Sequence, residues 1–434
     1  MKNYIELTNN LIEFINNSPS VFHAVDNMKN ILENAGYIEL KEGSEWILDK
    51  GGRYYVVRNE STIAAFALPV MSDYKEIQGF HIVAAHSDSP TFKIKDNPEI
   101  VTDGKYIKLN TEKYGGMIMN SWLDRPLSVA GRVAVRENGR IVSKLVNVDK
   151  DMLVIPNVAI HMNRDINTGM DYNAQVDLLP LYSQADIENR KNFMDIIAEY
   201  SGTDKRDILA HDLFLYVRDK GRIIGGNNEY IMSPKLDDLQ CAFSAVTAIT
   251  EENDNTTTYV NMCVVFDNEE VGSSTRQGAD STFLEDILLR IQEAFGENNS
   301  WLKRKISDSI LISADNAHAV HPNHPEKADL TNRPYVNGGV VIKYHGGQKY
   351  TTDALTAGYI KDLCINANIP FQTFANRSDM AGGSTLGNIS ISHVSMPSVD
   401  IGMPQLAMHS AVETGGVRDT EYAVKMMKAF YSKE

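Results

Sequence analysis

The sequence predicts an α/β protein in which a β-rich domain is inserted into a domain that alternates helices and strands. From residue 233 onward, apolar runs of strand length alternate with segments of helical periodicity, a pattern typical of βαβ units and a largely parallel sheet. Between about residues 91 and 230, short β-like runs follow one another with polar turns between them. The chain of 434 residues is also longer than the roughly 100–200 residues of one typical domain.

The first part of the chain predicts two helices followed by strands. Apolar residues recur at helical spacing over residues 5–35, and Ser18-Pro19-Ser20 divides this segment into two helices. Short apolar and β-branched runs bounded by turn residues then predict strands at 54–57, 62–68 and 81–85.

The rest of the chain supplies the two other groups of elements. In the β-rich part we expect one helix at 186–200 and strands at 106–109, 127–135, 141–146, 152–155 and 213–217. In the last part we expect helices at 241–249, 283–295, 352–367 and 420–431 and strands at 259–266, 310–313, 340–344, 371–374 and 399–401. The predicted α/β domain therefore comprises residues 1–92 and 231–434, and the predicted insert comprises residues 93–230.

Composition argues against several functional classes. The chain has 42 Lys and Arg against 57 Asp and Glu, and its net charge of −15 disfavours bulk binding to nucleic acid or anionic membranes. No segment reaches the roughly 18 apolar residues of a membrane span, and the N-terminus lacks the pattern of a secretory signal. Cys241, Cys263 and Cys364 are far apart and form no CxxC pair. We therefore expect a cytoplasmic protein without nucleic-acid or membrane partners.

Side chains that can bind a metal or transfer a proton follow the predicted strands. Sites on open α/β sheets lie at the carboxyl ends of the strands. One such coincidence would carry little weight, but five of them predict a shared site. The segments are His86-Ser87-Asp88, Asp237-Asp238 before a helix, Asp267-Asn268-Glu269-Glu270, Asp315 with His318, and His409.

Each motif also has an ordinary structural interpretation when it is taken alone. His86 and Asp88 can form a capped loop, Asp237-Asp238 can cap a helix, and His409 can be a core histidine. Glu269-Glu270 favours function more strongly, because adjacent carboxylates at a buried strand end repel each other and lose solvation unless a cation is present. The alternative for that pair is a solvated acidic loop.

Together these residues form a ligand set of two histidines and three or four carboxylates with no cysteine nearby. Mixed nitrogen and oxygen ligands suit Zn²⁺, Mn²⁺ or Co²⁺ and are typical of catalytic sites. A carboxylate can bridge two cations, and such pairs, about 3.5–4 Å apart, polarise a carbonyl and activate water for hydrolysis. The sequence contains no GxGxxG after a strand, no GxxxxGK[ST], no GxSxG and no HExxH.

At these residues the sequence resembles the aspartyl aminopeptidase family, which includes vacuolar aminopeptidase I. The resemblance implies a dinuclear-zinc metallo-exopeptidase that removes N-terminal residues from peptides. It further implies that the α/β domain is catalytic, that the β-rich insert is a dimerisation domain, and that subunits assemble into a tetrahedral homododecamer. The matching segments occur in family order at 85–90, 233–239, 266–273, 313–323, 379–387 and 404–410.

The resemblance also implies roles for individual residues. Two divalent ions per subunit are expected, zinc foremost, with cobalt or manganese as alternatives. Glu269 would be the general base for the shared water, and Asp88 would orient His86. The implied ligands are His86, Asp237 and Asp315 for one metal, and Asp237, Glu270 and His409 for the other. The residue after the bridging Asp237 is Asp238, where relatives often have Asn, and the peptide bond at this position is expected to be cis.

Substrate recognition is implied at four further places. His318 resembles a substrate-contacting histidine that stabilises the oxyanion. His161 resembles a histidine that reaches a neighbouring subunit's site, and without the family it reads as a surface or strand histidine. Lys343 resembles a lysine that binds acidic side chains in the acid-preferring relatives, and its alternative is a strand-end lysine facing solvent. The loop with Met380, Gly382 and Gly383 is another candidate pocket wall.

Three alternatives stay open at this point. The same mechanism could serve neutral or apolar N-terminal residues. A carboxypeptidase or deacylase on a related scaffold would need an arginine for a free carboxylate, and Arg276, Arg333 and Arg377 lie near the motifs. A catalytically silent scaffold subunit is disfavoured, because every candidate position holds a chemically competent side chain.

Overall fold

The structure, a computed structural model, describes residues 3–71, 73–251 and 257–433. Within these ranges the helices are α1 (Asn3–Asn16), α2 (Val21–Asn34), α3 (Phe193–Ser201), α4 (Leu236–Glu251), α5 (Phe283–Ala294), α6 (Asn299–Ser307), α7 (Ala354–Asn366), α8 (Leu386–His393) and α9 (Asp419–Tyr431). The strands are β1 (Ile38–Glu39), β2 (Arg53–Arg58), β3 (Thr62–Ala67), β4 (Phe80–His86), β5 (Thr91–Thr102), β6 (Tyr106–Tyr114), β7 (Leu127–Glu137), β8 (Arg140–Asn147), β9 (Leu181–Gln184), β10 (Ile208–Val217), β11 (Arg222–Ile224), β12 (Tyr230–Ser233), β13 (Val260–Phe266), β14 (Ile310–Ala314), β15 (Ala317–His318), β16 (Val340–Tyr344), β17 (Phe371–Ala375), β18 (Ser398–Gly402), β19 (Pro404–Leu406) and β20 (Glu413–Gly416).

A nine-stranded sheet forms the centre of the molecule, in the order β1-β2-β3-β13-β4-β14-β18-β16-β17. Its middle strands β13, β4, β14 and β18 run parallel to one another. The β2–β3, β3–β13 and β16–β18 pairings are antiparallel, so the sheet as a whole is mixed. The predicted α/β class is confirmed.

The central strands β13, β4 and β14 each contribute to two hydrophobic cores. On β13, Cys263 and Val265 pack in the core shared with α1, α2, α4, α7 and α9. Met262, Val264 and Phe266 point to the opposite face, into the core shared with α5, α6 and α8. Because side chains alternate along a strand, a strand covered on both faces is apolar throughout, and this explains the continuous apolar runs of the sequence.

A second sheet uses residues 91–217 only. Its six strands lie in the order β8-β7-β10-β5-β6-β9, and all of its pairings are antiparallel. A third, five-stranded sheet has the order β11-β12-β20-β19-β15 and joins residues 222–233 to residues 317–318 and 404–416. The predicted boundaries of the insert stay a prediction, although β11 and β12 pair outside the six-stranded sheet.

Two element predictions in the middle of the chain were wrong, and one strand was missed. The helix expected at 186–200 begins only at Phe193, because Asn192 and Asp195 form a capping box there. In the strand expected at 152–155, only Leu153 and Val154 pair, and they form isolated bridges with Leu127 and Leu181. The long strand β5 was not predicted, because a bulge between Ile94 and Glu99 interrupts its alternation at an Asn-Pro pair.

The parallel centre brings several chain segments to one edge of the sheet. His86 pairs with Phe266 across β4 and β13, and Ala314 pairs with Ile401 across β14 and β18. Gly402 at the end of β18 lies so close to Asp315 that an added Cβ would be 2.0 Å from its carbonyl oxygen. Among the described helices, none is long and apolar enough to cross a membrane.

Candidate metal centre

The predicted ligands occupy the ends of the central strands and the loops beside them. His86 is the last residue of β4, and Asp315 directly follows β14. Glu269 and Glu270 lie in a single 3₁₀ turn after β13. The dihedral angles of Asp237 at the start of α4 are not helical, and its peptide bond to Asp238 is cis as expected.

These side chains meet in two groups that share Asp237, and a third group joins His86, Glu269 and Glu270. His86, Asp237, Asp238 and Asp315 each bring a possible ligand atom to within 4.8 Å of the others. Asp237, Glu270 and His409 form a second group at the same spacing. The two oxygens of Asp237 face different histidines, since Oδ1 lies 3.4 Å from His86 Nε2 and Oδ2 lies 3.4 Å from His409 Nε2. A further 3.4 Å separates His409 Nε2 from Glu270 Oε1.

The geometry of this centre fits metal ligands better than hydrogen bonds. Charge-assisted N–H···O hydrogen bonds are about 2.7–2.9 Å long, which is shorter than all three of these separations. Two ligands bound tetrahedrally at about 2.1 Å from one cation lie about 3.4 Å from each other. Among the described residues, Asp237 Oδ1, Asp238 Oδ1 and Glu270 Oε1 are buried oxygens without a hydrogen-bond partner. Because a buried, unpaired carboxylate costs several kcal/mol, this arrangement needs protons or a cation to neutralise it, and its spacing suits a cation.

Without a cation, the centre holds protons instead. Burial raises the pKa of Glu269 to about 7, and the nearby Asp315 and Asp88 add to the increase. Burial and the charge of Asp237 raise the pKa of Glu270 well above its usual range. Burial alone would lower the pKa of His86, but its carboxylate neighbours, Asp238 foremost, raise it well above the usual value. Cations that bind here must displace these protons.

Asp88 makes more contacts than its predicted role of orienting His86 requires. Its carboxylate lies 3.4 Å from His86 Nδ1, which is compatible with the predicted orienting role, while the carbonyl oxygen of Asp88 lies 3.2 Å from the same nitrogen. The carboxylate also accepts hydrogen bonds from the backbone N–H groups of Glu269 at 3.1 Å and Glu270 at 3.2 Å. The hydroxyl of Tyr114 donates to it at 2.7 Å. Asp88 therefore connects the His86 strand end to the Glu269-Glu270 turn.

Two supporting residues were missed by the sequence analysis. The buried carboxylate of Glu413 accepts hydrogen bonds from the backbone N–H groups of Asp237 at 3.1 Å and His409 at 2.7 Å. The sequence signal for Glu413 was its position, a carboxylate four residues after His409 in a mostly apolar stretch. Tyr114 comes from the six-stranded sheet, and nothing in its local sequence indicates a contact with Asp88. The carbonyl of Gly116, 2.6 Å from His409 Nδ1, orients that ring from the same segment.

Lys343 lies close to the carboxylates. It is only 2% exposed, so it does not face solvent. Its Nζ lies 3.5 Å from Asp315 Oδ2, donates to the carbonyl of Asn316 at 3.1 Å and lies 5.2 Å from the centre of the Tyr350 ring. His318, an exposed residue at the end of β15, places its ring edge-on to Phe374 at 6.0 Å. Phe374 also packs with Tyr350, so His318 and Lys343 border one aromatic cluster.

The remaining candidates lie outside the two ligand groups. Met380 is 47% exposed, and Gly383 in the same loop is exposed as well. Lys349 Nζ donates to the carbonyl of Gly382 at 3.2 Å, and the loop packs against the side chain of Asn376. Within the described residues, no hydrogen bond joins this loop to the metal centre.

His161 is not brought to the metal centre of its own chain. It is exposed on the segment between the residue-154 bridge and β9, and in the described ranges no hydrogen bond or ion pair joins it to the ligand groups. The apolar side chains Val158, Ile160 and Met162 beside it are 46%, 47% and 82% exposed. Exposed apolar side chains at this density are typical of a contact surface.

Known proteins match this chain over almost its entire length. A family model for aminopeptidase I zinc metalloproteases (M18) matches residues 14–431. A probable M18 family aminopeptidase 2 of Clostridium acetobutylicum is 48% identical over 436 aligned positions, which cover 100% of both chains. The solved structure of an Ape4 and Nbr1 complex contains a chain with a TM-score of 0.94 and 34% identity, covering 99% of this chain and 86% of that one. The S. cerevisiae mApe1 dodecamer has a TM-score of 0.87 at 26% identity and covers 99% of this chain and 97% of that one.

The fold, the buried ligand groups and these matches agree with one another. The chain belongs to the M18 family of aminopeptidases, which are zinc metalloproteases.

Proposed function

We propose that this aminopeptidase holds two divalent cations per subunit and that Asp237 is the ligand they share. One observation carries the proposal: the two oxygens of Asp237 face His86 and His409 at equal separations of 3.4 Å. Asp315 completes the ligands on the His86 side, and Glu270 completes them on the His409 side. Zinc is the metal of the family and suits these nitrogen and oxygen ligands, with cobalt or manganese as alternatives.

Glu269 is the proposed general base. When they are bound, the cations supply Lewis-acid chemistry that polarises the scissile carbonyl and acidifies water. The Glu269 carboxylate accepts a proton from the attacking water and then donates it to the leaving amine. Its backbone N–H donates to Asp88 Oδ1 at 3.1 Å, which fixes the turn that carries it. His318, exposed at the end of β15, is the proposed donor to the oxyanion that forms on the substrate carbonyl.

Lys343 is the proposed determinant of a preference for N-terminal Asp or Glu. It is a buried cation, and Asp315 is its carboxylate neighbour. If Asp315 binds a cation, its carboxylate no longer neutralises Lys343. The positive charge of Lys343 can then pair with a substrate carboxylate. The loop at residues 380–384, in which Gly382 packs against Asn376, is proposed as another wall of this pocket. A preference for neutral or apolar residues stays the alternative.

Another metal-dependent amide hydrolase is less well supported. A carboxypeptidase needs a free arginine beside the centre, yet the three candidates have other partners. Arg377 pairs with Asp379, Arg276 donates to Asn59, and Arg333 donates to the carbonyls of Asp329 and Pro325.

The active form is proposed to be a tetrahedral homododecamer in which His161 serves a neighbouring subunit. The exposed apolar segment around His161 supports a subunit contact, and one structural relative is a dodecamer. We also infer a cytoplasmic enzyme acting on peptides. The free, buried Cys241, Cys263 and Cys364 are compatible with a reducing compartment.

Zinc should stabilise the protein more at pH 8 than at pH 5. In the metal-free protein, the pKa of Glu269 is raised to about 7 from its unfolded value of 4.5. Proton binding to Glu269 therefore stabilises the folded protein fully below pH 4.5, and this stabilisation is lost as the pH rises through about 7. Over the same interval fewer protons oppose zinc binding. The measurement is Tm by calorimetry for chelated and zinc-loaded protein at both pH values. A zinc-induced Tm increase that is equal at both pH values, or larger at pH 5, contradicts this expectation.

Glu269→Gln should abolish most turnover without removing metal. The substitution keeps the shape of the side chain but removes the proton acceptor, so kcat should fall about 10²–10⁴-fold. Zinc content by elemental analysis and Tm should match the unmodified protein. Glu293→Gln on the exposed side of α5 is the control and should retain full turnover. Unchanged kcat in Glu269→Gln would exclude Glu269 as the base.

Lys343→Met should remove a preference for acidic residues. We expect the unmodified enzyme to release Asp and Glu from aminoacyl substrates with higher kcat/KM than Leu, Met, Lys or Ala. In Lys343→Met the KM for Asp should rise at least tenfold while release of Leu changes little. Zinc content is measured in parallel because Lys343 neighbours Asp315, and Lys361→Met on α7 is the control. Preferential release of Leu or Met by the unmodified enzyme would favour the neutral-specific alternative.

Two inactive variants should restore activity to each other if His161 acts between subunits. His161→Ala and Glu269→Gln are each expected to be nearly inactive as pure oligomers. When the two variants are dissociated and reassembled together, some sites of the mixed oligomer combine an intact Glu269 with an intact His161 from a neighbouring subunit. The measurement is activity of the mixed oligomer against the two parents treated alike. No gain in activity, with mixing verified by mass, would exclude a role between subunits.

A further inference from the structure

Asp238 has the same unusual environment as the proposed metal ligands. Its side chain is fully buried. Oδ2 accepts a hydrogen bond from the backbone N–H of His86 at 3.2 Å, whereas Oδ1 has no hydrogen-bond partner. A possible ligand atom of Asp238 lies within 4.8 Å of those of His86, Asp237 and Asp315.

Buried carboxylates elsewhere in the described chain have hydrogen-bond donors. Asp400 accepts from the backbone N–H of Thr351 at 2.6 Å and from the hydroxyls of Thr351 and Thr385. Asp419 accepts from the backbone N–H groups of Asn337 at 2.7 Å and Gly339 at 3.1 Å. Among the carboxylates that the structure describes, buried oxygens without a partner occur at Asp237, Asp238 and Glu270 only.

The environment of Asp238 differs from that of a helix cap. An N-cap carboxylate accepts hydrogen bonds from backbone N–H groups of the first helical turn. The bond that Asp238 accepts comes instead from His86 on β4, and the second oxygen of the carboxylate has no hydrogen-bond partner although the side chain is buried. A carboxylate held by one oxygen and unpaired at the other is arranged as a ligand for a cation.

We propose that Asp238 is a further ligand of the cation held by His86, Asp237 and Asp315. This inference rests on the proposed two-cation function and concerns only one of its two positions. With Asp238, the His86 position offers three carboxylates and one imidazole, while the His409 position offers two carboxylates and one imidazole. Carboxylate-rich positions suit Mn²⁺, so the His86 position should bind Mn²⁺ more tightly than the His409 position.

The test is a Mn²⁺ titration of the metal-free protein, with free Mn²⁺ measured by its electron paramagnetic resonance signal. The unmodified protein should bind two equivalents in a tighter and a weaker class. In Asp238→Asn the tighter class should weaken at least tenfold, because the substitution keeps the acceptor for His86 and removes the ligand charge. The weaker class should be nearly unchanged.

Asp267→Asn is the matched control. Asp267 is also buried near the centre, but its Oδ1 accepts from the backbone N–H of Asn268 at 2.7 Å, and it belongs to neither ligand group. Both Mn²⁺ classes should stay within about threefold of the unmodified protein. If Asp238→Asn also stays within threefold, Asp238 is not a ligand. If the unmodified protein binds neither Mn²⁺ nor Zn²⁺, the two-cation function fails instead.

A second variant keeps the test decisive if Asp238→Asn does not fold. Asp238→Cys places a thiolate at the same position, so its cobalt-loaded form should show a thiolate-to-cobalt charge-transfer band in the near ultraviolet. The cobalt-loaded unmodified protein, which retains Cys241, and Asp267→Cys should lack that band. A folded, cobalt-loaded Asp238→Cys protein without the band would contradict ligation at this position.

Discussion

The buried negative charge around Asp237 is the constraint on which the rest of the site depends. Asp237, Asp238, Asp315 and Glu270 converge beside two histidines at the edge of the central sheet, and three of their oxygens have no hydrogen-bond partner. Such an arrangement is costly unless protons or cations neutralise it. The raised pKa values of Glu269 and Glu270 correspond to neutralisation by protons. The zinc of the family corresponds to neutralisation by cations.

The fold holds this charge in place through contacts from distant parts of the chain. The parallel strands β4, β13 and β14 set the spacing of His86, the Glu269-Glu270 turn and Asp315. Glu413 holds the backbone of Asp237 and His409 together, although more than 170 positions separate it from Asp237. Tyr114 and Gly116, from the segment that leaves the six-stranded sheet, reach the same centre. The two sheets therefore cooperate in shaping one site.

The sequence indicated which side chains would lie together, because most of the proposed ligands lie beside strands whose apolar runs are easy to recognise. Once the strands are parallel, their carboxyl ends must meet, so His86, Glu270 and Asp315 were expected at one edge without knowledge of the tertiary contacts. Tyr114 and Glu413 were missed because their importance arises from partners far away in sequence. The environment of Lys343 was likewise inaccessible, since a lysine in an apolar strand reads equally well as buried or exposed.

The errors in the predicted secondary structure have local causes. The bulge in β5 and the cap at Asn192 act over a few residues and override the wider pattern of periodicity. The proposed role of His161 between subunits has a different basis, because a single chain contains only half of such a contact. Its exposed apolar neighbours indicate a contact surface. The partner of that surface is identified from the assembled protein.

Anomalous diffraction at the zinc absorption edge from crystals of the zinc-loaded protein would reveal whether two cations share Asp237. We expect two peaks per subunit, about 3.5–4 Å apart, one on each side of the Asp237 carboxylate. One peak should lie beside His86 and Asp315, and the other beside His409 and Glu270. A single peak, or two peaks that do not share Asp237, would show that Asp237 does not bridge two cations.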